Sequence, residues 1–316
     1  MPEQTARFAA HGRAELAKAI VGQEAVINQL LVVLLCGGHA LLEGVPGTAK
    51  TLIVKAMARV CRLDFQRVQC TPDLMPADIL GTSLYNQATS AFALHRGPVF
   101  ADFLLVDEVN RMPPRSQAAL LECMEERQVT IDGTRYPLTS FFTVFATQNP
   151  VEFEGTYPLP EAELDRFWFK IRIQYPDAAH EEEILNRYQN GFDARDLDRL
   201  GLAPVDPELL SAARQEVATV RVGAELLHYV STIVRRTREW PSLSLGGSPR
   251  ATVVLMLAAK ALAAMDGREY LIPDDVKAAA HPVLRHRLVV KPEADIEGVT
   301  PDRVVDEVLS VVEVPK

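Results

Sequence analysis

The run Gly44-Val45-Pro46-Gly47-Thr48-Ala49-Lys50-Thr51-Leu52 sets a lysine and a hydroxyl directly behind a glycine-bearing loop. At the start of a helix, the backbone N–H groups of such a loop wrap phosphate oxygens. The lysine reaches the β- and γ-phosphates, and the hydroxyl binds magnesium. Lys50 and Thr51 are the residues of those types here. Ala49 stands where the G-x-x-x-x-G-K-[ST] pattern carries its last glycine, so a Cβ occupies a position usually free of one. Gly44 and Gly47 are then expected to supply the flexibility of the turn.

A second cluster, Phe103-Leu104-Leu105-Val106-Asp107-Glu108, is an apolar run closed by two acids. If the run is a strand, both carboxylates emerge at its C-terminal edge, where open α/β sheets bind ligands. Asp107 can hold hydrated magnesium there, and Glu108 can polarise a water for in-line attack on a γ-phosphate. A third run, Phe145-Ala146-Thr147-Gln148-Asn149-Pro150, also ends in polar residues. Alone, Asn149 before Pro150 reads as a turn former, but beside the other two clusters it is placed to orient the attacking water. The chemistry indicated is hydrolysis of a nucleoside triphosphate with Mg2+.

The elements that must position these groups follow from periodicity. Ile27, Leu30, Leu31 and Leu34 recur at helical spacing within residues 23–36, and Gly37-Gly38 end that helix. Residues 39–43 read as a short buried strand, then the loop, then a helix over 50–62, the order a phosphate loop requires. Further buried strands are expected at 65–69, 103–106, 141–146 and 167–173. Strands alternating with helices imply an α/β layered sheet. Asp132-Gly133 marks a hairpin over about 128–139, and a second strand pair is expected over about 82–97. Beyond residue 176 the pattern turns helical, with segments near 178–189, 207–217, 224–239, 249–265 and 273–280. The expected division is an α/β core over 1–176 and a mostly α-helical domain over 177–316.

The chain has 316 residues, 48% hydrophobic and 24% charged, as an ordinary globular protein does. Its net charge of −9 supplies no general attraction to nucleic acid or anionic lipid. Residues 1–20 carry Glu3 and Glu15 among apolar and basic residues and lack the apolar core of a secretory signal. The most apolar stretch, 30–42, is shorter than the ~18 residues a membrane span needs, so a cytoplasmic protein is expected. Cys36, Cys61, Cys70 and Cys123 form no C-x-x-C pair and read as buried thiols. His11, His39, His95, His180, His228, His281 and His286 lack metal-ligand spacing.

The three clusters in this order resemble the AAA+ ATPases, and more narrowly the MoxR family, of the helix-2-insert clade related to magnesium chelatase ATPase subunits. The resemblance rests on Gly-Val-Pro-Gly-Thr-Ala-Lys-Thr with its alanine and on Gly97-Pro98-Val99-Phe100-Ala101. It rests also on Asp107-Glu108-Val109-Asn110-Arg111-Met112-Pro113-Pro114 and on Leu159-Pro160-Glu161-Ala162-Glu163-Leu164-Asp165-Arg166-Phe167. It implies the αβα sandwich with a helical lid, and an alanine at position 49 as a family trait. It further implies Asn149 as sensor 1, Arg166 as an arginine finger inserted into a neighbouring subunit's site, and Arg250 as sensor 2, a lid arginine that touches the γ-phosphate. Gly22 and Gln23 would lie against adenine. Residues 82–97 would be the helix-2 insert, and Arg111 receives no role.

The resemblance further implies a ring, expected to be a hexamer, that remodels, matures or loads metal into a partner bearing a von Willebrand factor A domain. Two other readings compete. A DNA-associated motor or nuclease-linked NTPase would draw on Arg235-Arg236-Thr237-Arg238 and Arg285-His286-Arg287, runs that read by themselves as solvated faces. A nucleotide-dependent scaffold would hydrolyse poorly, which the intact Glu108 opposes.

Overall fold

A computed structural model of the chain describes residues 1–87, 90–149 and 156–315. Ala88 and Thr89 of the insert, and Pro150 of the third cluster, lie outside the described residues. The chain opens with helices α1 (Glu3–Ala19) and α2 (Glu24–Cys36), strand β1 (Ala40–Glu43), helix α3 (Lys50–Cys61), strand β2 (Phe65–Gln69) and the short helix α4 (Pro76–Leu80). Strands β3 (Gly81–Asn86) and β4 (Ala91–Arg96), strand β5 (Phe103–Asp107) and helix α5 (Pro114–Glu126) follow. Strands β6 (Gln128–Ile131), β7 (Thr134–Pro137) and β8 (Thr143–Gln148), helix α6 (Glu161–Leu164) and strand β9 (Phe169–Arg172) complete this part.

Five strands form one parallel sheet in the order β2-β5-β8-β1-β9. The inner strands β1, β5 and β8 are buried along nearly their whole length because both faces are covered, whereas the edge strand β2, expected as a buried run, buries only Val68. Alternation along β5 sends Phe103 and Leu105 to the face packed by α1, α2 and α3, and Leu104 and Val106 to the face packed by α4 and α5. β1 divides in the same way, with Leu42 on the first face and Leu41 on the second. The strand expected over 141–146 instead starts at Thr143 and extends to Gln148, because Phe142 N–H closes a turn on Thr139. Asp132 and Gly133 both take positive φ, 49° and 79°, as a two-residue hairpin turn between β6 and β7 requires.

After Pro176 come α7 (Ala178–Gln189), α8 (Pro207–Thr219), α9 (Ala224–Arg238), strand β10 (Leu243–Leu245), α10 (Pro249–Met265), α11 (Pro273–Leu284), strand β11 (Val289–Val290), α12 (Pro292–Ile296) and α13 (Pro301–Val311). This is a helical lid with a small antiparallel β10-β11 ladder. Its helices pack back onto the core: buried residues of α8 and α10 share one apolar cluster with those of α1 and α2. Glu216 on α8 accepts the N–H groups of Gln4 and Thr5 at 3.1 and 2.8 Å, capping α1 where Pro2 offers no side-chain cap.

A buried polar joint ties the lid to the segment before β9. Arg287 Nε donates to Asp165 Oδ1 at 2.6 Å and its Nη2 to Phe167 O at 2.7 Å, while Ser248 Oγ donates to Asp165 Oδ2 at 2.9 Å. Arg285 pairs with Asp302 at 3.0 Å, and His286 Nε2 meets Phe167 O at 3.0 Å. This corrects the reading of Arg285-His286-Arg287 as a solvated basic face: His286 and Arg287 are buried, and all three are used inside the fold. Of the two runs that a DNA-associated motor would use, only Arg235, Arg236 and Arg238 on α9 stay exposed.

Candidate active site

The phosphate loop joins β1 to α3 and turns back under its own lysine. Ala49 adopts φ 61°, ψ 21°, the left-handed conformation that its missing glycine would take without cost. The flexibility expected of Gly44 and Gly47 therefore divides differently. Gly47 does take positive φ, at 84°. Gly44 is instead needed for close approach, since a Cβ there would stand 2.6 Å from Ile173 O. Lys50 Nζ donates to Gly44 O at 2.6 Å and Val45 O at 2.7 Å. Burial lowers its pKa, while the charges of Asp107 and Glu108 pull the other way.

Parallel register lines up the polar ends of the strands. Gln69 pairs with Asp107 across β2 and β5, and Glu43 with Gln148 across β1 and β8. Thr147 Oγ1 donates to Asp107 Oδ1 at 2.5 Å and accepts the Glu108 N–H at 2.8 Å. Arg67 Nη2 donates to the other Asp107 oxygen at 2.7 Å. Glu108 sits at φ 59°, a left-handed strain directly after the end of β5. Gln69 Nε2 at 3.0 Å and Arg111 Nη1 at 3.3 Å both donate to Glu108 Oε2, so Arg111, left without a role by the sequence, pairs with this acid.

Pro46 to Leu52, Asp107, Glu108, Thr147, Asn149, Tyr188 and Ala194 line one cleft of about 440 Å³. A smaller cavity of about 160 Å³ shares Gly47, Thr48, Ala49, Leu52 and Tyr188 with that cleft and continues to Ile20, Val21, Gln23, Pro176, Ile184 and Phe192. Mostly apolar walls beside a phosphate loop suit a nucleobase. Gln23 is thus a lining residue, held by its Nε2 donating to Gln174 O at 3.0 Å. Gly22 is not; it turns at φ 66° against His180, whose ring a Cβ would meet at 2.7 Å.

Arg166 and Arg250 do not line this cleft among the described residues. They meet instead on Glu125: Arg166 Nε lies 3.2 Å from one carboxylate oxygen, and Arg250 Nη2 donates to the other. Sequence reasoning missed Glu125, Arg67, Gln69 and Tyr188. Gln69 carried a usable signal, since it closes a strand expected from the sequence, as Asp107 does. Tyr188 carried none, because its place depends on how α7 docks. Burial pushes the thiols of Cys61, Cys70 and Cys123 up to about 12, and Cys36, only partly buried, donates to Leu257 O at 3.5 Å. No described helix is long and apolar enough to cross a membrane.

Comparison with known proteins agrees with this geometry. Residues 39–169 match the model of the ATPase family associated with various cellular activities (AAA), and residues 235–308 match an AAA lid domain. Chaperone MoxR1 of Mycobacterium tuberculosis is 44% identical over 317 residues, covering 96% of this chain and 81% of that protein. Protein MoxR of Methylorubrum extorquens is 31% identical over 307 residues, covering 90% and 88%. A crystal structure of a Cytophaga hutchinsonii protein superposes with a TM-score of 0.90 at 41% identity, covering 99% of this chain and 98% of that one.

Proposed function

The chain belongs to the MoxR family of AAA ATPases, and on that premise we propose that it hydrolyses ATP at sites shared between ring subunits to remodel, mature or load metal into a partner protein. The observation that carries this reading is the convergence of Lys50, Thr51, Asp107, Glu108 and Asn149 on one cleft that opens onto an apolar base-sized cavity.

In the proposed reaction Lys50 leaves the loop carbonyls for the β- and γ-phosphates. Glu108, steadied by Gln69 and Arg111, takes a proton from water as the water oxygen attacks the γ-phosphorus and the bond to the bridging oxygen breaks. Asn149 orients that water. Thr51 and Asp107 are hard oxygen donors lining the same cleft and would hold Mg2+, which would supply charge neutralisation on the phosphates. Arg166 and Arg250 complete the site of the next subunit, a role supported by their lying outside their own cleft.

The name chaperone carried by MoxR1 supports the remodelling role. A partner with a von Willebrand factor A domain, a hexameric ring, a cytoplasmic location and a core ending at residue 176 complete the proposal. Glu108→Gln should retain ATP binding and lower turnover about 100-fold or more. Unchanged turnover would remove Glu108 from its role. Retention of a co-encoded von Willebrand factor A protein only with ATP present would test the partner, and equal retention without ATP would reject it.

A further inference from the structure

Two charged residues stand against the dipoles of the helices that carry them. Glu125 lies in the last turn of α5, together with Glu126 and no basic residue, where a carboxylate faces the negative helix end. Arg250 lies in the first turn of α10, where a cation faces the positive end. Each supplies what the other lacks: Arg250 donates to one oxygen of Glu125, and Arg166 lies 3.2 Å from the second. The side chains of Arg166, Arg250 and Glu125 are 31%, 43% and 37% exposed, so core and lid together build an anion site open to the surface and filled by the subunit's own carboxylate. Carboxylate and phosphate present guanidinium groups with the same charge-assisted hydrogen-bond geometry.

We propose that Glu125 is an internal surrogate for phosphate: it holds Arg166 and Arg250 as a pair in the unassembled subunit and yields them to the terminal phosphate of the nucleotide on a neighbouring copy of this chain. This rests on the reading of both arginines as groups given to the next subunit's site. Half-exposed ion pairs hold weakly, so the exchange costs little and the pair is kept together without being locked. Glu125 is a positioning residue that touches neither nucleotide nor water, and its competition with phosphate sets how readily subunits engage.

The test is ATP turnover by the full chain across protein and ATP concentrations for wild type, Glu125→Gln, Arg166→Ala and Arg250→Ala, with thermal midpoints measured alongside. Neutralising Glu125 should lower the protein concentration for half-maximal turnover by about 3- to 10-fold, with kcat and the thermal midpoint kept. A half-maximal concentration unchanged or raised in Glu125→Gln, while either alanine variant abolishes turnover, overturns the surrogate role alone. A brace between core and lid would instead lower the midpoint and turnover together, which also overturns it. Wild-type turnover in both alanine variants would remove the reading of the arginines and the surrogate with it.

Discussion

Ala49 departs from the phosphate-loop pattern yet takes the left-handed backbone that the glycine of that pattern would take. Its methyl group tolerates φ 61° at a cost of about 1–2 kcal/mol relative to a right-handed residue, a strain a tight phosphate loop absorbs. Ala49→Gly removes that strain but adds unfolded-state freedom worth about 0.4–1 kcal/mol, so the two effects partly cancel. The expected result in urea unfolding is a change within about 1 kcal/mol, with turnover retained. Ala49→Val, branched at Cβ, should cost about 1–3 kcal/mol and raise KM for ATP. Equal stability of the valine and alanine forms would mean the loop relaxes out of the left-handed conformation. The departure at position 49 was legible in the sequence, whereas the residue that bears the strain was not, because φ depends on how the loop closes over Lys50.

At the scale of elements, apolar runs disclosed the inner strands β1, β5 and β8, since burial on both faces leaves few polar residues in them, while the edge strands β2 and β9 carry polar residues among the apolar ones. Their limits moved where apolar side chains belong to turns, as Phe142 does before β8. His39, read from the sequence as the first residue of a buried strand, is buried just before β1. Its Nδ1 accepts the Val144 N–H at 2.9 Å and its Nε2 donates to Met124 O at 3.1 Å. Burial foremost, with the nearby Arg127 charge, holds its pKa down to about 3 against an ordinary 6.5. Below pH 6.5 the unfolded chain binds a proton that the folded chain refuses, so stability is lost as pH falls from about 6.5 toward about 3. The slope from this group is at most about 1.4 kcal/mol per pH unit, and His286, also pushed down by burial, adds to it. His39→Gln should flatten the loss of stability in urea melts between about pH 6 and pH 4. An unaltered slope would show that His39 does not supply it.

At the scale of the whole molecule, the lid is built into the core. Glu216 of α8 caps α1, and Arg287 grips Asp165, the residue before Arg166, so a movement of the lid reaches the candidate finger directly. If Arg166 serves the neighbouring site, a subunit bearing Arg166→Ala should bind ATP normally and silence its neighbour. Mixed with wild type at constant total protein, it should depress turnover more steeply than its fraction; a linear decline would place Arg166 in its own subunit's function. An arginine finger is worth about 10³–10⁵ in rate in other hydrolases, so the homogeneous variant should be almost inactive.

The sequence by itself determined the phosphate loop, the acids at the end of β5, the polar end of β8 and the change from α/β to helical, because each is written in spacing within a single element. The tertiary structure decided which distant residues meet: Gln69 with Glu108, Arg67 with Asp107, Tyr188 with the apolar cavity beside the phosphate loop, and Arg166 with Arg250 on Glu125. It also took Arg287 out of solvent. Periodicity reports which face of a helix or strand is apolar, but a hydrogen bond between residues far apart in the chain exists only after register and docking bring them within about 3 Å, and neither is encoded in local spacing.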